Sequence, residues 1–235
     1  MSFDVNHDDD ARRLWMIGLD LARHTDHPQG SDLTVYLLAD MALQAVHLDR
    51  PDEALKLAHL GQAAAIGSHP VSSATTGLLA GIQARAHAAQ GDATGCDRAL
   101  GQAVELCAAI DPATAPPWTA YLSDTGVSGH QGAAHYALAL PERDPVTANR
   151  AVALLRRLVS VGPDYSVFRA TYLPDLAGAH ALAGDIDTAV SIGHRAVDAV
   201  TAVRSPRAHE TGSTGCAPCW NPATPASASP SCASA

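Results

Sequence analysis

Apolar residues recur along this chain at intervals of three and four, in blocks separated by short polar turns. Leu38, Met41, Ala42 and Ala45 lead to the turn Asp49-Arg50-Pro51-Asp52, and Ala54, Leu55, Ala58 and Gly61 follow it. Leu78, Leu79 and Ile82 run into residues 84–92 (ARAHAAQGD), after which a second amphipathic run spans Ala99 to Leu106. Leu173 and Leu176 run into residues 177–185 (AGAHALAGD), and a further run spans Ala189 to Val200. Such spacing is the signature of amphipathic helices, and Gly91 and Gly184 sit where a helix C-terminus needs a left-handed residue. Each block therefore reads as helix, tight turn, helix.

Turn-to-turn spacing tests the periodicity. Asp49 and Gly91 are 42 residues apart and Gly91 and Gly184 are 93 apart, which leaves room for one more unit. Trp118 to Leu140, a Pro141/Pro145 turn and Val146 to Val159 fill it. The expected architecture is all-α: a right-handed solenoid of about four helical hairpins, preceded by a leading helix from Ala11 to His24. Self-similarity at this period marks hairpins that bury their faces only against neighbours. Ala42, Ala84 and Ala177, seven before the turn, and Ala54, Cys96 and Ala189, five after it, are the expected close-contact positions; Gly61, Ala103 and Ala196 fall seven further on. Ala88 is expected on the groove side.

These small-residue positions resemble the tetratricopeptide (TPR) pattern with lengthened helices. More specifically, residues 41–57 (MALQAVHLDRPDEALKL), 84–92, 116–130 (PPWTAYLSDTGVSGH), 176–185 and 204–207 (RSPR) resemble the C-terminal repeat region of actinobacterial XRE-type helix-turn-helix transcriptional regulators. The resemblance spans roughly residues 11–208 and implies a regulatory, ligand-sensing role beside a DNA-binding domain. Such a domain is not found in this sequence, which opens in what reads as the second helix of an earlier repeat. The expectation is a regulator fragment whose reading frame shifts near His209 and which lacks its 5′ portion.

Composition sharpens the reading. The chain holds 47 Ala and 24 Leu with 4% aromatic residues, which favours helices over sheets. Its formal charge is −9 with one lysine, Lys56, so binding of nucleic acid by this chain is not expected. No apolar run reaches a membrane span, and the N-terminus has no signal-peptide pattern, so a cytoplasmic protein is expected. Residues 1–10 read as a flexible acidic N-terminus, 11–203 as the repeat domain, and 204–235 as a disordered Ser/Pro/Cys tail, since Val203 is the last Val, Ile, Leu, Met or Phe.

Chemistry is sparse. Cys216-x-x-Cys219 with Cys232 and His209 lacks the second close pair of a zinc site, so no metal or cofactor is expected. Cys96 and Cys107 read as core residues. His87 and His180 share one repeat position, which argues for packing, because repeat symmetry does not duplicate a catalytic residue. His130 and His135 are five apart, off a common helix face. Gly126-Val127-Ser128-Gly129 lacks the strand of a nucleophile elbow, and an enzyme is not expected. Function is assigned instead to the groove lined by the first helix of each pair, where Tyr36, Asp40, Gln44, Arg85, Tyr121, Asp124, Arg169, Tyr172 and Asp175 are the candidate ligand or partner residues. The expected partner is a peptide, a small effector or another protein, with a role in transcription by resemblance. The alternative is a free-standing adaptor or scaffold with none.

Overall fold

The computed structural model describes residues 8–67, 69–119, 122, 124–160 and 166–203, the side chains of residues 124, 125, 166–169 and 203 excepted. Helices are the only regular elements among them: α1 (Asp8–Arg23), α2 (Gly30–His47), α3 (Pro51–Ala65), α4 (Ser73–Ala89), α5 (Ala93–Ala108), a 3-10 turn (Pro117–Thr119), α6 (Asp124–Glu142), α7 (Pro145–Val159), α8 (Ser166–Leu182) and α9 (Ile186–Val203). Residues 204–235, with the expected disordered tail and its cysteines, lie outside the described part, as do residues 1–7 and Tyr121. The acidic run Asp8–Asp10 forms the first turn of α1 rather than preceding it. Carboxylates there meet the positive end of the helix dipole.

Four hairpins, α2–α3, α4–α5, α6–α7 and α8–α9, reverse in the same way. Asp49, Gly91, Arg143 and Gly184 take φ of 55°, 74°, 50° and 88°, the left-handed region. The next residue's N–H then reaches back five residues: Arg50 to the Ala45 carbonyl at 2.8 Å, Asp92 to His87 at 2.9 Å, Asp144 to Ala139 at 3.0 Å and Asp185 to His180 at 3.0 Å. This 6→1 bond satisfies a carbonyl the helix end would leave orphaned. The same residue opens the following helix, its carbonyl accepting from Ala54, Cys96, Ala148 and Ala189 in turn. In three of the four it is an aspartate that also caps. Asp92 accepts from Gly95 N at 2.9 Å, Asp144 from Val146 N at 2.9 Å and Asp185 from Thr188 N at 3.2 Å.

The third hairpin departs from expectation at both ends. Its first helix begins at Asp124, with Trp118 in the 3-10 turn before it, and runs through Pro141 to Glu142. The reversal is made by Arg143 and Asp144, not by the two prolines. Pro141 lies inside the last turn of α6, where it has no N–H to donate to the Ala137 carbonyl, and Pro145 starts α7, where the missing N–H costs nothing.

Small residues set the closest approaches. Ala42, Ala84 and Ala177 are 0%, 0% and 3% exposed, and Ala54 and Cys96 are 0%. The corresponding place in the third hairpin holds Tyr136. There the helices meet one turn earlier, at Gly132, where a Cβ would stand 2.5 Å from Leu155 Cγ, and the Tyr136 ring lies over Gly178 of α8. Cys96 and Cys107 are buried thiols, and burial pushes the Cys96 thiol up to about 12. Ala88, expected toward the groove, is buried with Ala84, Cys96, Ala99, Leu100 and Ala134. The reason is α6, whose Ala134 covers that face of α4.

Between hairpins, α4 follows α2, α6 follows α4 and α8 follows α6, in contact pair by pair, an arrangement that fits a helical repeat. One core cluster joins α1–α4, another joins α6–α9, and the alanine-rich cluster around Ala84 and Ala134 bridges them. Asp32 of α2 clasps the start of α4, accepting from Ser72 N at 2.6 Å and from Thr75 Oγ1.

Replacing Arg143 by glycine, which adopts its φ without strain, should raise stability by roughly 0.5–1 kcal/mol, and Gly184→Ala should lower it by about 1 kcal/mol. Chemical denaturation checks both. Ala84→Leu and Ala88→Leu should each cost about 1–3 kcal/mol by overpacking, while Ala63→Leu on the exposed side of α3 should stay within about 0.5 kcal/mol. Equal midpoints for all three would contradict this register.

Candidate functional site

The first helices carry the expected groove residues, and the structure sorts them into two groups. At the α2 end, Tyr36 and Asp40 are half-buried and Gln44 is buried. Tyr36 faces Trp118, ring centroids 6.4 Å apart and tilted by 54°. Gln44 is held by α1: its Oε1 accepts from the Arg12 guanidinium at 3.1 Å and its amide donates to the Asp8 carbonyl at 3.0 Å. Arg12 also reaches the Met41 carbonyl and Glu53. Gln44 thus serves to fasten α1 against α2. Tyr121 and the side chains of Asp124 and Arg169 lie outside the described residues.

The second group crosses three successive first helices. On α6, Gly129 and His130 are adjacent. The Tyr172 ring of α8 rests on Gly129, where a Cβ would stand 2.9 Å from Tyr172 Cζ, and the His130 ring rests on Gly81 of α4, 3.1 Å from a Cβ there. Arg85 lies one turn beyond Gly81 on α4, and Asp175 one turn beyond Tyr172 on α8. Arg85 is within electrostatic reach of the other three, and Asp175 within reach of Tyr172. Burial pushes Asp175 up to about 6, with Arg85 pulling it back. Burial raises the Tyr172 phenol, and Arg85 again opposes the rise. His130 is 7% exposed, and burial followed by the Arg85 charge lowers it to about 3. Its Nδ1 is buried without a hydrogen-bond partner among the described residues. The row therefore offers a fixed cation, a carboxylate that titrates near 6, a phenol and a neutral imidazole.

Arg85, Tyr172 and Asp175 were expected along the groove; Tyr172 is buried against Gly129, Arg85 and Asp175 are half-buried, and the buried His130 was not among the expected residues. Its signal, glycines at 81 and 129 that make room for rings, emerges only once α4, α6 and α8 are side by side.

The paired histidines play another part. His87 Nδ1 lies 3.0 Å from Asp92 Oδ2, out of line for a hydrogen bond, and His180 Nδ1 lies 3.2 Å from Asp185 Oδ2. His180 braces the aspartate at its turn and His87 lies beside the equivalent one, an arrangement that fits a structural role for the repeated position. A cleft of about 240 Å³ among Gln62, Ala65, Thr76, Leu79, Ala80 and Gln102 lies on the other side of α4, below the size of ordinary ligand pockets. Among the described residues no group of three or more His, Cys, Asp or Glu is placed to hold a metal, and no helix is long and apolar enough to cross a membrane. No protein-family model matches the chain, and no curated protein does.

The shifts of His130 and Asp175 act oppositely on stability. His130 is lowered in the folded chain, so the unfolded chain takes up its proton first, and stability is lost as pH falls below about 6.5 toward about 3. Asp175 is raised, so the folded chain binds its proton first, and stability is gained as pH falls from about 6 toward its unfolded value of 3.8. The histidine shift is larger and begins at higher pH, so wild type should lose stability on going from pH 7 to 5. His130→Gln should remove the histidine's contribution, on the order of 2 kcal/mol between pH 7 and 5, and so turn that loss into a gain. Melting curves at pH 5, 6 and 7 check this; parallel pH profiles for wild type and variant would refute it.

Proposed function

We propose that the chain is a non-enzymatic interaction and sensing module, a right-handed TPR-like solenoid whose groove binds a peptide, a small effector or a partner protein. By its resemblance to XRE-type regulators, it is the regulatory part of a transcriptional regulator and acts in the cytoplasm. One observation carries the reading: Arg85, His130, Tyr172 and Asp175 form a polar row across α4, α6 and α8, beside core clusters made mostly of apolar residues. Burying charge in this way costs stability that apolar residues would not, and groups perturbed in this way cluster at functional sites. Arginine and tyrosine are the anchors that interaction surfaces favour. Four first helices side by side supply a surface long enough for an extended peptide.

The test is a thermal-shift screen of peptides and polar metabolites against the full chain, repeated on Arg85→Met and Asp175→Asn. Ligands of the groove should raise the wild-type melting temperature by several degrees and have no effect on either variant, both of which should keep the wild-type helical content. Ligands that stabilise wild type and both variants alike would place binding elsewhere and overturn the reading.

A further inference from the structure

The leading helix is pinned in one rotation. Its inner face, with Ala11, Trp15, Leu19 and Ala22, packs on α2, and the Arg12 guanidinium ties it to Met41, Gln44 and Glu53. That rotation turns a second apolar stripe outward. Leu14, Ile17 and Leu21 are 59%, 59% and 66% exposed. Their spacing of three and then four is that of a helix–helix seam. Single exposed leucines are ordinary, but three in one register on a short helix form a surface that water leaves unsatisfied.

We propose that this stripe seats a second copy of the same chain, with the two α1 helices antiparallel about a two-fold axis. The charges along α1 select that arrangement. Its first turn is Asp8-Asp9-Asp10 and its last holds Arg23, with His24 next. An antiparallel pair lays the acidic end of each helix beside the basic end of the other, whereas a parallel pair stacks the aspartates together. Arg13 and Asp20 flank the stripe on one shoulder, with side chains 79% and 75% exposed. Ile17 lies near the middle of the stripe, so two-fold pairing brings each Arg13 toward the partner's Asp20. Their present partners, Asp10 at 3.8 Å for Arg13 and His24 at 3.4 Å for Asp20, are exposed contacts on the same helix that are cheap to exchange. The interface is self-complementary, as a two-fold dimer requires. Three apolar side chains on one helix of each copy make a smaller interface than that of standard-size complexes, so the dimer belongs in the micromolar range or weaker.

Sedimentation equilibrium of the full chain in reductant, from about ten to several hundred micromolar, tests the proposal; the reductant keeps the tail cysteines from cross-linking. Wild type should pass from monomer to dimer with rising concentration. Ile17→Glu and, separately, Leu21→Lys should stay monomeric with unchanged circular dichroism, since neither side chain is in the core. Arg13→Glu should weaken the dimer severalfold, and Arg13→Glu with Asp20→Arg should restore it. A wild-type monomer throughout, or association that both stripe variants retain, overturns the proposal. A double variant no tighter than Arg13→Glu alone overturns the antiparallel arrangement. The groove is untouched by these changes, so ligand binding and self-association are separable.

Discussion

Everything in this fold hangs on one backbone event: a residue in the left-handed region followed by an N–H that reaches back five residues. It happens at Asp49, Gly91, Arg143 and Gly184 with nearly the same bond length each time. Because the residue after it starts the next helix, reversal and nucleation are one step, with little slack between the paired helices. The angle at which they leave the turn then decides where they touch, one to two turns back. Those are the places that hold Ala42, Ala84 and Ala177. Where Tyr136 stands instead, the contact moves to Gly132 and the tyrosine is accommodated by the next helix along.

The polar row belongs to a different level of organisation. Hairpin geometry is local and repeats; the row is assembled from single residues on three hairpins and does not. His130, Tyr172 and Asp175 each bear the energetic mark of removal from water, and Arg85 is the charge common to all three. A cation placed among groups that water no longer solvates keeps the carboxylate ionisable near neutral pH while leaving the imidazole neutral.

The same division explains how much of the molecule could be read from the sequence. Residues 84–92 and 177–185 are near copies because turn, brace and cap each demand a particular residue type, and all of them lie within about ten positions. The third reversal was hidden because an arginine, not a glycine, takes the left-handed conformation, and because two prolines nearby offered a more familiar stop. Ala88 was misplaced for another reason. Periodicity within α4 identifies its apolar face but not how far α6 extends over it, and Ala134 closes that face. His130 and the fastening of Gln44 by Arg12 depend on residues 32 to 49 positions away, which no local pattern encodes.

The cluster that joins the two halves of the molecule is rich in alanine, with Ala84 and Ala88 on α4 and Ala134 on α6. Side chains that short let the two helices approach closely, so an added methylene there has nowhere to go. Arg85 and His130 stand on opposite sides of that join, on α4 and α6. A ligand that touched both would span the two halves of the molecule at once.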